Sequence, residues 1–151
     1  MRAATHYLFF CLILLLLTGG CASHDLADER LKAYQAYRSG DYDKAIDRFE
    51  LLVKEIPGDG ELWFRLGNAY ARSRLPKKAV TAYENALLRN PQMAKAWYNM
   101  GLIHMQAALK TFADMQEYVP ADDPIGNRGM DMAEGLLSLL NDLPEQNEEK
   151  D

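Results

Sequence analysis

The segments "GDYDKAIDRFELLVKEIPGD" (residues 40–59) and "RLPKKAVTAYENALLRNPQM" (residues 74–93) superimpose at a shift of 34 residues. Ala45 falls on Ala79, Phe49 on Tyr83 and Pro57 on Pro91. Self-similarity at a fixed period is the mark of a chain that stacks copies of one supersecondary unit. Between the two segments, Trp63, Leu66 and Tyr70 recur at i, i+3 and i+7, which places them on one helical face. Pro57 and Pro91 stop their helices, because proline disfavours the helical conformation in the residue before it. One such unit cannot bury its own apolar face, so each needs neighbours.

A period of 34 with these residue types resembles the tetratricopeptide repeat (TPR). Residues 60–93 carry the pattern almost completely, in Trp63, Leu66, Gly67, Tyr70, Ala79, Tyr83, Ala86 and Pro91. Residues 26–59 match its second half through Ala45, Phe49 and Pro57, whereas Glu29 takes the aromatic position and Ala33 the glycine position. Residues 94–127 match at Trp97, Gly101 and Ala113 alone. The resemblance implies an all-α fold, a TPR helix-turn-helix solenoid with a C-terminal capping helix, its array covering residues 29–119. Gly67 is expected to let the paired helix approach closely, with Ala79 and Ala86 facing that contact.

The third unit departs from the pattern. "HMQAALKTFADMQEYVP" (104–120) contains no Gly and no Pro before Pro120, so one continuous helix is expected from about Ala94 to Val119. "PADDPIGNRG" (120–129) has loop composition, and a loop is expected over 120–130. Asp131 and Glu134 then resemble a capping box. Met132, Leu136, Leu137, Leu140 and Leu143 line a stripe that Pro144 ends, giving a last helix over 131–143. That helix is expected to cap the array, a partner-binding amphipathic helix being the alternative. The charged tail 144–151 has nothing to bury and is expected to be disordered.

The N-terminus joins Arg2, an apolar stretch of 11 residues from Tyr7 to Leu17, and the small residues Thr18-Gly19-Gly20. This is a signal-peptide pattern. Eleven helical residues rise about 16 Å, half of what crossing a bilayer requires. Leu17-Thr18-Gly19-Gly20-Cys21 resembles the bacterial lipobox, in which the cysteine is acylated before cleavage; Thr18 stands where that family usually has Leu. The resemblance implies removal of residues 1–20, lipidation (palmitate-type acyl chains) at Cys21 and a short tether over 21–28. It also implies that Ala22 favours the outer membrane. An ordinary secretory signal followed by an incidental cysteine is the alternative.

Composition narrows the chemistry. With 17 basic and 22 acidic residues the net charge is −5, a poor match to nucleic acid, which requires concentrated Lys and Arg. Both cysteines, Cys11 and Cys21, precede the repeats, so the 130 residues after Cys21 form neither an internal disulfide nor a thiolate metal site. Of the three histidines, His6 leaves with the signal, His24 lies in the tether, and His104 is expected to be a partly buried packing residue. No HExxH and no Gly-rich phosphate loop occurs. The reading is therefore no enzyme, no cofactor, no metal and no small-molecule substrate.

In the TPR family the first helix of each repeat lines a concave, partner-binding groove. Its positions here hold Arg30, Tyr34, Tyr37 and Arg38, then Phe64, Arg65, Asn68 and Arg72, then Lys95, Tyr98, Asn99, Leu102 and Met105. Among these are five cations and four aromatics, in a chain of negative net charge. They suit an extended peptide with acidic groups, because Arg contacts carboxylates bidentately. Arg30 and Lys95 fit the cationic positions of the carboxylate clamp found in chaperone-binding members, whereas Tyr34, Arg65 and Asn99 do not carry its residues. The expected function is a lipid-anchored adaptor facing the periplasm, binding a protein or peptide in assembly of an envelope machine such as a pilus or secretion system. Accessory action with a peptidoglycan enzyme and a passive spacer are the alternatives.

Overall fold

The computed structural model describes residues 19–143, and every element within them is a helix. They are α1 (Gly19–Arg38), α2 (Tyr42–Glu55), α3 (Gly60–Arg72), α4 (Pro76–Arg89), α5 (Ala94–Tyr118) and α6 (Pro124–Asn141). The all-α expectation holds. Two compact units are formed, one running through Ala96 and the other starting at Trp97. The signal peptide expected over residues 1–20, apart from Gly19 and Gly20, and the tail expected from residue 144 lie outside the described residues.

In the first unit the helices are set by caps and turns that repeat with the sequence. Asp41 caps α2 by accepting from the Lys44 amide, and Asp59 caps α3 by accepting from the amides of Glu61 and Leu62. Pro76 opens α4 in the first turn, where its missing N–H costs nothing. The turns before α2 and α4 both pass through the left-handed region, at Gly40 (φ 78°) and Arg74 (φ 58°), 34 positions apart. Helices α2 and α4 end just before Ile56 and Asn90, each followed by the expected proline.

These ends fix which faces meet. Helix α2 buries Ala45, Ile46, Phe49, Leu52 and Val53, and α4 buries Ala79, Ala82, Tyr83, Ala86 and Leu87. Helix α3 packs into both, burying Leu62, Phe64, Leu66, Ala69 and Tyr70. Gly67 does mark the close approach, but its neighbour is the ring of Tyr83; a Cβ at Gly67 would lie 2.5 Å from Tyr83 Cε1.

Helix α1 begins at Gly19, so residues 21–28, expected as a short tether ahead of the first helix, are themselves part of α1. "CASHDLAD" contains no glycine or proline, and two alanines and a leucine favour continuation of α1. Residues 94–118 form one uninterrupted helix. The register of Gly40 and Arg74 falls there on Ala108, which stays helical, so no turn divides the third unit.

The expected loop over 120–130 is shorter than its composition implied, because α6 starts at Pro124. Asp123 is its N-cap, accepting from the amides of Ile125 (2.8 Å) and Gly126 (2.9 Å), and Pro124 is its first residue. Asp131 and Glu134 therefore lie within the helix and not at its start. Two of its three glycines serve packing. A Cβ at Gly126 would lie 3.0 Å from Val119 Cγ1, and one at Gly129 would lie 3.2 Å from Met115 Sδ. His104 is exposed, contrary to the packing role expected for it.

Candidate functional site: a cation–aromatic run on the first helices of the repeats

Helices α1, α3 and α5 carry the residues read as a groove. Tyr34 on α1 packs edge-on against Phe49 of α2, with ring centroids 5.6 Å apart. The Arg65 guanidinium of α3 lies 5.4 Å above the Tyr34 ring and 5.9 Å from that of Phe64. On Phe64 sits the Lys95 ammonium, 4.5 Å from the ring centroid. Tyr34, Arg65, Phe64 and Lys95 thus form one cation–aromatic run across three helices of the first unit.

Carboxylates hold the run in place. Glu61 pairs with Arg65 at 2.8 Å and with Lys95 at 2.9 Å. Arg30 donates to the N-cap residue Asp59 at 2.8 Å, joining α1 to the start of α3. Each of these three cations is therefore matched inside the protein. Arg65 is only 21 % exposed, which makes its pair with Glu61 more ordered than a typical surface ion pair. Glu29, on the first turns of the same array, hydrogen-bonds Lys32, and Arg48 of α2 also pairs with it. Those contacts hold the Glu29 carboxyl below the usual carboxylate range.

Several predicted groove residues have other tasks. Phe64 is 4 % exposed and is the floor under Arg65 and Lys95, not a contact surface. Its ring also lies 5.8 Å from that of Tyr83. The carbonyl oxygen of Asn68 accepts from the Tyr83 hydroxyl at 2.8 Å. Tyr37 packs against Tyr42 at 5.5 Å between centroids. Arg38 and Arg72 are exposed near the ends of their helices. Tyr98, Asn99, Leu102 and Met105 stand on α5 in the second unit, Tyr98 exposed and the other three half-buried.

Glu61 and Asp59 were not among the predicted site residues, yet they organise it. Their signal was in the sequence: Glu61 lies four before Arg65 and 34 before Lys95, one helical turn and one repeat away. Among the described residues, no group of three or more His, Cys, Asp or Glu side chains is placed to hold a metal ion.

A tetratricopeptide repeat family model matches residues 36–97. The chain is 38 % identical over 69 residues to the peroxisomal targeting signal receptor of Saccharomyces cerevisiae, an alignment covering 46 % of this chain. It spans about a tenth of that relative's length (11 %). Among solved structures it is similar to the Yersinia enterocolitica type III secretion chaperone SycD in complex with a peptide of the translocator YopD. That match has a TM-score of 0.56 and 17 % identity, over 78 % of this chain and 95 % of the chaperone. It is also similar to the first TPR of Spaghetti (RPAP3) bound to the HSP90 peptide SRMEEVD. Here the TM-score is 0.52 and the identity 19 %, over 79 % of this chain and 98 % of the other. Residues 36–97 thus carry tetratricopeptide repeats, and the fold is an all-α TPR helix-turn-helix solenoid.

Proposed function

We propose that the protein is an adaptor that binds an extended segment of a partner protein along α1, α3 and the start of α5. The observation that carries this reading is the run Tyr34–Arg65–Phe64–Lys95, cations held over rings on the first helices of successive repeats. Such a surface offers donors for backbone carbonyls and for acidic side chains, on a base already ordered by Glu61. Solved TPR structures with a peptide of YopD and with an HSP90 peptide support a peptide ligand here.

Because Arg30, Arg65 and Lys95 already have carboxylate partners, an acidic ligand binds by exchange with Asp59 and Glu61 rather than by neutralising bare charge. That lowers the gain per contact and favours a ligand that also covers Tyr34. The mode differs from a clamp of free cations around one terminal carboxylate.

The lipobox-like Leu17–Cys21 supports attachment through acyl chains at Cys21, facing the periplasm at the outer membrane of a Gram-negative envelope. Two or more acyl chains suffice for stable anchoring. The adaptor would then raise the local concentration of its partner at the membrane, as assembly of a pilus or secretion system requires. Crosslinking pull-down from the native cell, comparing wild type with Arg65→Glu, tests the adaptor reading; an unchanged set of captured proteins defeats it. Fractionation of Cys21→Ala tests the anchor separately, since the substituted protein must leave the membrane fraction.

A further inference from the structure

The face of α3 turned away from Arg65 carries a second surface. Trp63, Leu66 and Tyr70 of α3, with Lys77, Lys78 and Thr81 of α4, line an open cleft of about 330 Å³. Its floor is apolar and buried at Leu66 and Tyr70. Its walls are pinned. The Trp63 indole N–H donates to the Pro57 carbonyl at 3.1 Å, and the Arg89 guanidinium sits 5.0 Å from the Trp63 ring. Tyr70 donates its hydroxyl to Glu50, and the Lys78 ammonium lies 5.3 Å from its ring centroid.

The rim breaks a local rule, and among the described residues the one electrostatic contact of its lysine side chains is that of Lys78 with the Tyr70 ring. Lys77 and Lys78 stand in the first turn of α4, where the helix dipole disfavours cations. Leu75, the N-cap residue, provides no side-chain cap. Among the described residues neither lysine forms an ion pair, whereas Arg30, Arg65 and Lys95 in the groove all do. Anionic groups placed on this rim would meet two ammonium groups and the positive end of α4 together.

We infer that this cleft docks an acidic segment of a partner protein around one aliphatic or aromatic side chain. That side chain enters against Trp63, Leu66 and Tyr70, and flanking carboxylates reach Lys77 and Lys78. The recess favours a protruding side chain over a lipid bilayer, because a plane of headgroups would engage the lysines and leave the apolar floor unfilled. The surface is distinct from the groove along α1 and α3, so it stands if the groove reading fails.

The test is fluorescence anisotropy with the full chain and a labelled acidic peptide carrying one central Phe. Binding is expected to weaken at least tenfold when that Phe is replaced by Ser, and at least tenfold in Lys77→Glu/Lys78→Glu. The double substitution places acids where the helix dipole favours them, so the fold, followed by circular dichroism, is retained. Arg65→Glu is expected to leave this binding within twofold. Affinity unchanged in the lysine variant, or lost in Arg65→Glu instead, overturns the inference. So does lysine-dependent flotation with phosphatidylglycerol vesicles when the peptide itself does not bind, which would assign the cleft to a membrane surface. Lysine-dependent self-association without peptide binding, followed by sedimentation, would assign it to a second copy and also overturn it.

Discussion

Gly67 and Tyr83 meet more closely than any side chain on Gly67 would permit: the nearest ring carbon lies 2.5 Å from where a Cβ would stand. The same tyrosine reaches past that glycine to donate to Asn68. One repeat position therefore sets the spacing of α3 and α4, and a neighbouring position fixes the ring that fills it.

Gly67→Ala is expected to destabilise the protein by about 1–3 kcal/mol, since the Tyr83 ring is fully buried and has nowhere to retreat. Thermal melting followed by circular dichroism checks it. A smaller loss is expected from Tyr83→Phe, which removes the bond to Asn68 and keeps the ring.

Arg74 is a non-glycine residue in the left-handed region, where the equivalent position one repeat earlier is Gly40. Arg74→Gly is expected to stabilise the fold by about 0.5–1 kcal/mol through relief of backbone strain, partly offset by the freer unfolded chain. Gly40→Ala is expected to cost about 1–2 kcal/mol. Chemical denaturation of the pair reads opposite signs at equivalent positions.

Arg65→Glu places a carboxylate beside Glu61 and removes the cation from Tyr34 and Phe64. Partner capture is expected to fall at least tenfold, while stability changes by no more than about 1 kcal/mol, the range of partly exposed ion pairs. Arg65→Lys is expected to fall between the two, because it keeps the charge and loses the planar fork. Binding of a partner recovered from the native pull-down, measured against each variant, checks the order.

Burial and the hydrogen bond to Glu50 push the Tyr70 phenol above its ordinary value of 10.0. The folded chain thus holds this proton more tightly than the unfolded chain does. Its contribution to stability is complete below pH 10 and is lost as pH rises through the raised value. Stability measured from pH 8 upward is expected to fall less steeply in Tyr70→Phe than in wild type. Parallel curves would show that Tyr70 titrates freely.

The repeats were legible because Ala45/Ala79, Phe49/Tyr83 and Pro57/Pro91 carry the same packing and stopping tasks in each copy. Less legible was anything depending on which of two readings a residue takes. Asp123-Pro124 is turn-like in composition, yet it caps and starts α6. Gly126 and Gly129 look like loop residues, but Gly126 is small because Val119 of the preceding turn presses on it, and Gly129 because Met115 and Phe112 of α5 do. In the candidate site, the resemblance to the repeat family put Tyr34, Arg65 and Lys95 on one face, and the structure sets them in one run with Phe64. Their charges looked available because a list of one face omits Glu61, the partner one turn before Arg65 and one repeat before Lys95.

Position 40 in the first repeat, 74 in the second and 108 in the third hold Gly, Arg and Ala in one register, and only the first two make a turn. The chain is therefore modular up to a definite point. A duplicated copy of residues 60–93 fits in frame between Met93 and Ala94: its downstream junction repeats Met93–Ala94, and upstream Met93 takes the register that Asp59 holds before Gly60. The same cassette placed after Ala108 would interrupt a continuous helix. Growth of the scaffold by duplication is therefore expected upstream of α5, where turns already divide the helices.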